Sequence, residues 1–451
     1  MRQPPPLAHL RQQPVSVLRS AKRNARTHSK TQIGKIADSI RTFGFVNPVL
    51  VDAQNSIIAG HGRVAAAQRL GLAEIPTLRI DHLSEAQIRA YIIADNRLAE
   101  LAGWDNEILT LELGELVTID ADFDVSVTGF EHAEIDLMIG TQDPAADPLD
   151  DISEPVPDAP PVTAPGDLWV LGDHRVLCAD VRERMAVRRV MAGGQARMVF
   201  TDPPYNVPID GHVSGLGKRR HGEFACASGE MSPDQFTTFL EVTLGNLTAC
   251  SLSGSLHYVC MDWRHMAELL TAGGRVFSSQ LNLCVWNKTN AGMGSLYRSK
   301  HELVAVFKHG RGGHVNNVAL GRFGRHRSNV WAYAGANTWR AGRNADLSDH
   351  PTVKPVMLVA DAIQDASNRG DVILDGFGGA GTTVLAAERT GRQARLIEVE
   401  PRYVDVTIRR WQTLTGRRAL CEATGVAFDA REKPEPSTDK TATHKHKRST
   451  A

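Results

Sequence analysis

The sequence predicts an α/β protein in which a small α/β domain precedes a larger domain built on a mostly parallel sheet. Short apolar runs alternate with helical stretches from about residue 166, a pattern that favours a parallel sheet with helices on both faces. An acidic, proline-dense stretch stands ahead of them and reads as a solvated linker. We therefore expect a first domain at 13–112, a linker at 113–165, the larger domain at 166–428 and a disordered basic tail at 429–451.

Composition narrows the class of protein. Lys plus Arg and Asp plus Glu each number 51, which excludes a uniformly basic nucleic-acid coat. The charge is segregated, however: residues 99–162 hold 17 acids and no Lys or Arg, whereas 298–327 hold seven Lys or Arg and one acid, Glu302. Six cysteines without a C-x-x-C pair argue against a zinc site or a disulfide scaffold and favour a reducing cytoplasm. We expect no metal site, and the absence of a long apolar run predicts no membrane span.

The elements of the first domain can be placed by caps and turns. Ser29-x-x-Gln32 and Ser84-x-x-Gln87 each predict a helix start. Apolar runs at 48–51 and 56–59 predict two paired strands, and 75–80 predicts a third. Between the second and third strands, a glycine-rich turn at 60–63 opens a further helix.

The larger domain shows the alternation most clearly. Predicted strands lie at 167–172, 175–178, 196–202, 256–261, 283–288, 303–308, 371–375 and 394–399. Predicted helices lie at 234–247, 263–272, 356–368, 381–390 and 402–414. We expect a target-recognition region at about 208–349, between the two segments described next.

One strand ends in Asp202-Pro203-Pro204-Tyr205. The prolines remove two backbone donors, so the segment offers carbonyl and carboxylate acceptors and an aromatic face, but no nucleophile. A planar substrate with an exocyclic amine suits it, because Asp202 and a proline carbonyl can accept its N–H groups while Tyr205 stacks on the ring. The alternative is an ordinary strand-to-turn transition, since Asp-Pro is common in turns.

A strand, a glycine-rich turn and a helix start follow at 372–383. Glycines let the backbone approach a ligand closely, and Glu398, 17 residues after Gly381, can bind ribose hydroxyls. Tight strand–helix packing is the alternative for the glycines. Nicotinamide binding is disfavoured because the segment at 202–205 supplies nothing for hydride transfer.

Together these motifs resemble the amino-group DNA methyltransferases, over about residues 166–425. The acidic-proline segment precedes the glycine turn, as in the permuted β type of that family. Further landmarks follow in family order at 286–288, 301–302, 329–331, 350–355 and 397–403. Ala380 departs from the usual serine, but a small residue is kept.

The resemblance implies a Rossmann-like fold, S-adenosylmethionine as cofactor and double-stranded DNA as partner, in the manner of restriction-modification methylases. Asp202, Pro203, Pro204 and Tyr205 would be catalytic, acting on a base flipped out of the duplex. The implied cofactor residues are Asp180, Lys354, Asp375, Phe377, Gly379, Gly381, Thr382, Thr383 and Glu398. The family's use of D-P-P-Y favours N6 of adenine over N4 of cytosine. C5-cytosine methylation fits poorly, because the cysteine nucleophile of that family follows a proline and no cysteine here does.

Basic residues between the two segments are candidate DNA contacts, with a solvated loop as the alternative. They are Lys218, Arg219, Arg220, Lys300, Arg322, Arg325 and Arg327. Many relatives dimerise, so the resemblance also allows a homodimer.

The segment around Gly60-His61-Gly62-Arg63 resembles the ParB-like domain of partition proteins, over about residues 13–110. That resemblance implies that Gly60 and Arg63 hold nucleotide phosphates, with CTP as the candidate ligand, and a glycine-rich helix start with an arginine suits an anion. A structural turn is equally consistent. No helix-turn-helix and no nuclease metal cluster is evident. The competing reading of the whole chain is a nucleotide-switched DNA-binding protein with an inactive methylase scaffold.

Overall fold

A computed structural model describes residues 10–21, 24–119, 123–139, 148–150, 160–207, 227, 229–288, 296–322, 324–333 and 354–432. The chain divides into two compact units, 1–139 and 140–451. Each unit has its own sheet.

The first unit contains a four-stranded sheet with helices. Its elements are β1 (Leu10–Pro14), α1 (Lys30–Phe43), β2 (Val49–Val51), β3 (Ile57–Ala59), α2 (His61–Leu70), β4 (Glu74–Arg79), α3 (Glu85–Glu100), α4 (Asn106–Ile119) and α5 (His132–Ile139). The strand order is β1–β4–β2–β3. Ser29 and Ser84 cap α1 and α3 as the sequence predicts, because each side chain accepts the backbone N–H three residues later.

The stretch that begins at residue 113 differs from the expected linker. This stretch contains part of helix α4 and all of helix α5. Within it, Leu113, Val125 and Ile135 form a small apolar cluster that is almost completely buried. The acidic composition conceals these apolar residues, and burying them stabilises a folded segment. Most of 140–165 lies outside the described residues.

The second unit alternates strands and helices over most of its length. Its elements are β5 (Leu168–Leu171), β6 (His174–Cys178), α6 (Arg184–Met191), β7 (Ala196–Thr201), α7 (Pro233–Thr248), β8 (Ser251–Met261), α8 (Met266–Val276), β9 (Ser279–Lys288), β10 (His301–Lys308), β11 (Val330–Tyr333), α9 (Val356–Ala366), β12 (Val372–Asp375), α10 (Thr382–Thr390), β13 (Gln393–Glu398), α11 (Pro401–Thr415), β14 (Leu420–Cys421) and α12 (Phe428–Glu432). The expected α/β class is confirmed.

The ten strands form one sheet in the order β11–β9–β10–β8–β7–β12–β13–β6–β5–β14. Its centre is parallel: β8, β7, β12, β13 and β6 pair in parallel with one another. β10 runs antiparallel to β8. Helices α9, α10 and α11 cover one face of the sheet, and α6, α7 and α8 cover the other.

This topology gathers several chain segments at one edge of the sheet. The carboxyl ends of β6, β7, β12 and β13 meet there because the strands are parallel neighbours. The amino end of β10 reaches the same edge because Leu303 is paired with Met261 at the end of β8. In open parallel sheets, this is the edge at which ligands bind.

Candidate active site

The two sequence motifs of the larger domain meet at this edge. Leu374 on β12 is paired with Val199 on β7. Just beyond this pair, the Thr201 hydroxyl donates a 3.0 Å hydrogen bond to the carboxylate of Asp375, the last residue of β12. The Thr383 hydroxyl donates to the same carboxylate at 2.7 Å. Segments separated by about 170 residues in the sequence therefore share one pocket edge.

The Asp202 carboxylate follows Thr201 and is held by two donors. Lys354 Nζ lies 2.5 Å from its Oδ2, and the Tyr205 hydroxyl donates to its Oδ1 at 2.5 Å. The Lys354 amine also lies 3.1 Å from the Tyr205 hydroxyl. The family resemblance places Lys354 at the cofactor. Its amine instead contacts Asp202. Its backbone carbonyl accepts a hydrogen bond from the hydroxyl of Thr382, at the start of α10.

A second carboxylate completes the cluster. Glu302, near the start of β10, accepts from Lys354 Nζ at 2.8 Å and forms an ion pair with Lys288 at the end of β9. Its Oε2 also lies 3.3 Å from the Tyr205 hydroxyl. Two ammonium groups thus face two carboxylates. In the sequence, Lys288 and Glu302 stand out only as family landmarks; the signal for Glu302 was that it is the one acid inside the most basic stretch of the chain.

Burial sets the electrostatics of this cluster. Burial raises the pKa of Asp202, and the charge of Glu302 raises it further, while Lys354 opposes both effects. The pKa of Glu302 falls to about 2 because Lys354 and Lys288 outweigh the cost of its burial. The pKa of Lys354 is raised by Asp202 and Glu302 against desolvation. The Glu302 carboxylate and the Lys354 amine are therefore charged at neutral pH.

The loop that leaves the cluster is fixed by Asn206. Its side-chain amide donates to the Met231 carbonyl at 2.8 Å, and its oxygen accepts the N–H groups of Gly229 and Met231. Asn206 itself has a left-handed φ of 54°. Pro203 is buried, and Pro204 and Tyr205 are partly exposed.

The glycine turn has different requirements at two of its glycines, Gly379 and Gly381. Gly381 has a φ of +80°, and a Cβ there would lie 2.5 Å from the Thr407 side chain on α11, so tight packing demands glycine. Gly379 also has a positive φ, but a Cβ there meets open space. Gly379 thus borders the cleft, while Gly381 shapes the turn from behind. Phe377, between β12 and this turn, packs against Phe239 at 6.0 Å between ring centroids.

Glu398 ends the neighbouring strand behind the turn. Its carboxylate accepts the N–H of Gly379 at 2.7 Å and that of Glu400 at 2.8 Å. Burial raises its pKa to about 7 and raises that of Asp375 to about 6. Asp180, beyond the end of β6, is paired with Arg182 at 2.5 Å. All of these acids lie at the carboxyl ends of adjacent strands.

The basic residues expected to bind DNA fall into different environments. Arg325 and Arg327 form ion pairs with Asp361 and Asp365 on α9 at 2.8–3.2 Å, and Arg325 is 7% exposed. The expectation for these two residues is corrected: they are ion-paired to α9, because the buried Asp365 and its partly buried neighbour Asp361 require their charge.

The remaining candidates separate by position. Lys300 is exposed just ahead of β10, at the edge that carries Asp202. Arg322 is exposed but follows a turn anchored to the far end of α9, where the Asn317 amide donates to the carbonyls of Gln364 and Ser367. Lys218, Arg219 and Arg220 lie outside the described residues.

The glycine-rich turn of the first unit borders a cavity of about 570 Å³. Gly60 has a φ of +103° and begins α2, and Arg63 folds back against it. The Arg63 Nε is buried without a hydrogen-bond partner among the described residues. Arg26, His28 and Lys35 line the same cavity together with Asp95, so basic side chains outnumber acids in its wall.

Metal-binding clusters and membrane-spanning helices are both absent from the part of the chain that the structure describes. No group of three or more His, Cys, Asp or Glu side chains within them is arranged to hold a metal ion. Within the same part of the chain, no helix combines the length and the apolar character needed to cross a membrane.

Comparison with protein families gives three matches along the chain. A family described as DNA methylase matches residues 196–409, and the ParB N-terminal domain matches residues 5–96. A ParB-methyltransferase HTH domain matches residues 107–165. This last match corrects the expectation that no helix-turn-helix is present, and it covers α4 and α5.

Two curated proteins and one solved structure are similar to parts of this chain. The ParB-like nuclease domain-containing protein YnaK of Escherichia coli K12 is 43% identical over 74 residues, which are 16% of this chain and 85% of that protein. The type II methyltransferase M2.MboI of Moraxella bovis is 25% identical over 235 residues, 48% of this chain and 81% of the relative. The crystal structure of M1.HpyAVI, at 17% identity and a TM-score of 0.38, covers 52% of this chain and 96% of that one.

Proposed function

Since this chain belongs to the N6/N4 DNA methylase family and carries a ParB N-terminal domain ahead of the methylase, we propose that it methylates N6 of adenine in DNA. The substrate would be a base flipped out of a double-stranded site. We assign the chemistry to residues 166–428 and a DNA-targeting or regulatory role to the ParB-like domain at 13–112. The observation that carries the proposal is the meeting of Asp202 and the Asp375 turn at one edge of the sheet.

S-adenosylmethionine is the cofactor, and when bound it supplies an electrophilic methyl group. The residues present suit it. Gly379 leaves open space beside the turn, and Glu398 is a buried carboxylate with lone pairs beyond those used by two backbone N–H groups. We propose that Glu398 accepts from ribose hydroxyls, that Phe377 and Asp180 contact the adenine ring, and that Thr382, Thr383 and Asp375 hold the turn in shape.

The target amine would lie against Asp202. Hydrogen bonds from its N–H groups to the Asp202 carboxylate and the Pro203 carbonyl favour a pyramidal nitrogen, whose lone pair is then available for attack. The carboxylate stabilises the positive charge that develops on nitrogen. No covalent enzyme intermediate is needed, so positioning supplies most of the rate.

Tyr205 supports the flipped base. Extruding a base from a duplex costs about a few kcal/mol, and stacking on an aromatic ring returns about 1–3 kcal/mol. The Tyr205 ring is held by its hydroxyl contacts to Asp202 and Lys354. Lys300, exposed at the same edge, is our candidate for a phosphate contact near the extruded nucleotide.

Adenine is favoured over cytosine by the acid at position 202, because the family more often pairs D-P-P-Y with adenine. N4-cytosine methylation is the alternative, and the product nucleoside decides between them. Digestion of plasmid DNA methylated by this chain, followed by mass spectrometry, should yield N6-methyladenine. N4-methylcytosine would contradict the adenine assignment and leave the methylase assignment intact.

The decisive experiment is transfer of labelled methyl groups to plasmid DNA by the full chain and by Asp202→Asn. We expect transfer to fall at least about a hundredfold in the variant, because the amide cannot stabilise the developing charge. Cofactor affinity, measured by calorimetry, should stay near the wild-type value. Transfer that persists at the wild-type rate would exclude the role given to Asp202.

A second activity is favoured by one observation in the first unit. The Nε of Arg63, which is buried and has no hydrogen-bond partner within the part of the chain that the structure describes, points to an anionic ligand in the cavity beside Gly60, since a helix start with glycines and an arginine suits phosphate. We propose that the ParB-like domain binds a nucleotide there, with CTP as the candidate. The competing hypothesis, a nucleotide-switched DNA-binding protein with an inactive methylase scaffold, predicts that the chain binds CTP and DNA without any methyl transfer.

A further inference from the structure

Asp202 has a problem that the proposed reaction must solve. Its Oδ2 already accepts from Lys354 at 2.5 Å, and its Oδ1 accepts from Tyr205 at 2.5 Å. A target amine that docks on Asp202 competes with both donors. A buried ammonium group that loses its partner is costly, because desolvation is then uncompensated.

Glu302 offers the displaced donors a second acceptor. It lies 2.8 Å from Lys354 Nζ and 3.3 Å from the Tyr205 hydroxyl. The Tyr205 hydroxyl carries one hydrogen, so it can donate to either carboxylate but not to both. Neither donor needs to travel, because both already lie between Asp202 and Glu302.

Lys288 keeps Glu302 ready for this role. It forms an ion pair with Glu302 through Oε1, while Lys354 uses Oε2. Its amine also lies 4.8 Å from the centre of the Trp286 ring. Since Glu302 is 9% exposed, this pairing keeps it ionised within the protein interior.

We propose that Glu302 is a positioning residue of the methyl transfer: it takes over hydrogen bonds from Lys354 and Tyr205 when Asp202 receives the target amine. This inference rests on the proposed function and deepens it. Glu302 itself does not touch the base. It acts through the two donors that it shares with Asp202.

The role has a signature in the pH profile. The charged or titratable groups around Asp202 are Lys354 ahead of α9, Tyr205 on the same loop, Glu302 on β10, Cys260 on β8 and Asp375 on β12. The charge of Glu302 raises the pKa of Asp202, and that of Lys354 lowers it. Removing the charge of Glu302 takes away one of the effects that raise this pKa, while burial and Lys354 continue to act, so the pKa of Asp202 falls.

The test compares Glu302→Gln, Glu302→Asp and Glu388→Gln with wild type, in the full chain. Glu388 is a matched control: it is a partly buried carboxylate with a lowered pKa, bonded to His174 and Trp411 at 2.8 Å, and outside the cluster. Methyl transfer at saturating cofactor is measured from pH 5 to pH 9, with cofactor affinity and the thermal midpoint alongside.

We expect Glu302→Gln to lower kcat by about tenfold to a hundredfold, as a lost positioning contact does. Cofactor affinity should change little, and the acidic limb of the kcat profile should move to lower pH. Glu302→Asp keeps the negative charge on a shorter side chain. Its kcat should therefore lie between those of wild type and Glu302→Gln, and the acidic limb of its profile should stay near that of wild type. Glu388→Gln should transfer methyl groups at the wild-type rate per folded molecule.

Two results would overturn the inference while leaving the methylase assignment standing. One is a Glu302→Gln enzyme with wild-type kcat and pH profile. The other is a loss of kcat that follows the thermal midpoint, with an unmoved acidic limb and no recovery in Glu302→Asp. A wild-type chain that transfers no methyl group would instead refute the proposed function, and the inference would fall with it.

Discussion

Glu398 is a carboxylate whose surroundings make it sensitive to pH near neutrality. It is 8% exposed, and burial raises its pKa to about 7. Ribose hydroxyls donate more strongly to the ionised form than to the protonated form. In the cofactor site proposed above, the ligand and the proton therefore compete for the same oxygens.

We expect the affinity for S-adenosylmethionine to weaken as the pH falls from 8 to 6, because the fraction of ionised Glu398 falls through its pKa. Calorimetric titrations at pH 6, 7 and 8 measure this trend. Glu398→Gln removes the titrating group, so its affinity should be lower and nearly independent of pH in that range. An equally steep dependence in the variant would assign the titration to another group.

At the level of single residues, the sequence predicted residue types better than their partners. The positions of Asp202, Tyr205, Asp375 and Glu398 follow from motifs at strand ends, which the parallel sheet then brings together. The partner of Lys354 could not be predicted, since its distance to Asp202 depends on how α9 packs against the sheet. In the sequence, Arg325 and Arg327 look like exposed charged residues, because the acids on α9 that pair with them lie over 30 positions away.

The turn between β12 and α10 shows how packing constrains an element. Gly381 and Gly370 have nearly the same left-handed φ, +80° and +79°, but only a Cβ at Gly381 meets a neighbour, the Thr407 side chain. The two positions therefore separate backbone strain from steric overlap.

We expect Gly370→Ala to lower the free energy of unfolding by about 1 kcal/mol, the cost of a left-handed φ for alanine. Gly381→Ala should lose about 1–3 kcal/mol more, because overpacking adds to the same strain. Urea unfolding of the two variants measures the difference. Equal losses would mean that α11 shifts at Thr407 to make room for the added methyl group, and that the turn is not tightly packed against α11.

At the level of elements, alternation predicted most strands and helices of the second unit. The strands β11 and β14 were missed because each has few residues and is the outermost strand on its side of the sheet. Helix α6 was also missed, since arginines interrupt its apolar positions. Helices α4 and α5 were hidden by their acids, and a composition window cannot see that Leu113, Val125 and Ile135 meet.

The whole chain joins a methylase to a domain with a separate basic cavity. Arg63 and Arg69 both lie on α2, but Arg63 borders the cavity and Arg69 is exposed. This pair allows the proposed nucleotide site to be tested in the full chain without disturbing the helix.

We expect Arg63→Ala to weaken CTP binding by at least about tenfold, the effect of losing a hydrogen bond to a charged group, and Arg69→Ala to leave it unchanged. Calorimetry with CTP measures both. Methyl transfer to DNA should continue in Arg63→Ala, because the Asp202 cluster belongs to the other unit. Equal CTP affinities in both variants and the wild type would remove Arg63 from the site.

At this scale, the sequence predicted two folded parts and the character of each. It placed the boundary between them less well, since the acidic stretch from 113 serves partly as a folded helical segment. Net charge was uninformative, because the acidic and basic stretches cancel.

The pairing of β14 with β5, through Leu420 and Val170, has a consequence for how such a catalytic unit is encoded. The first and last strands of the unit are neighbours, so its two ends lie side by side. A short tether could fuse them, and the chain could be opened elsewhere, for instance at Gly193–Gly194 ahead of β7. Genes with differently ordered segments can therefore specify the same three-dimensional enzyme.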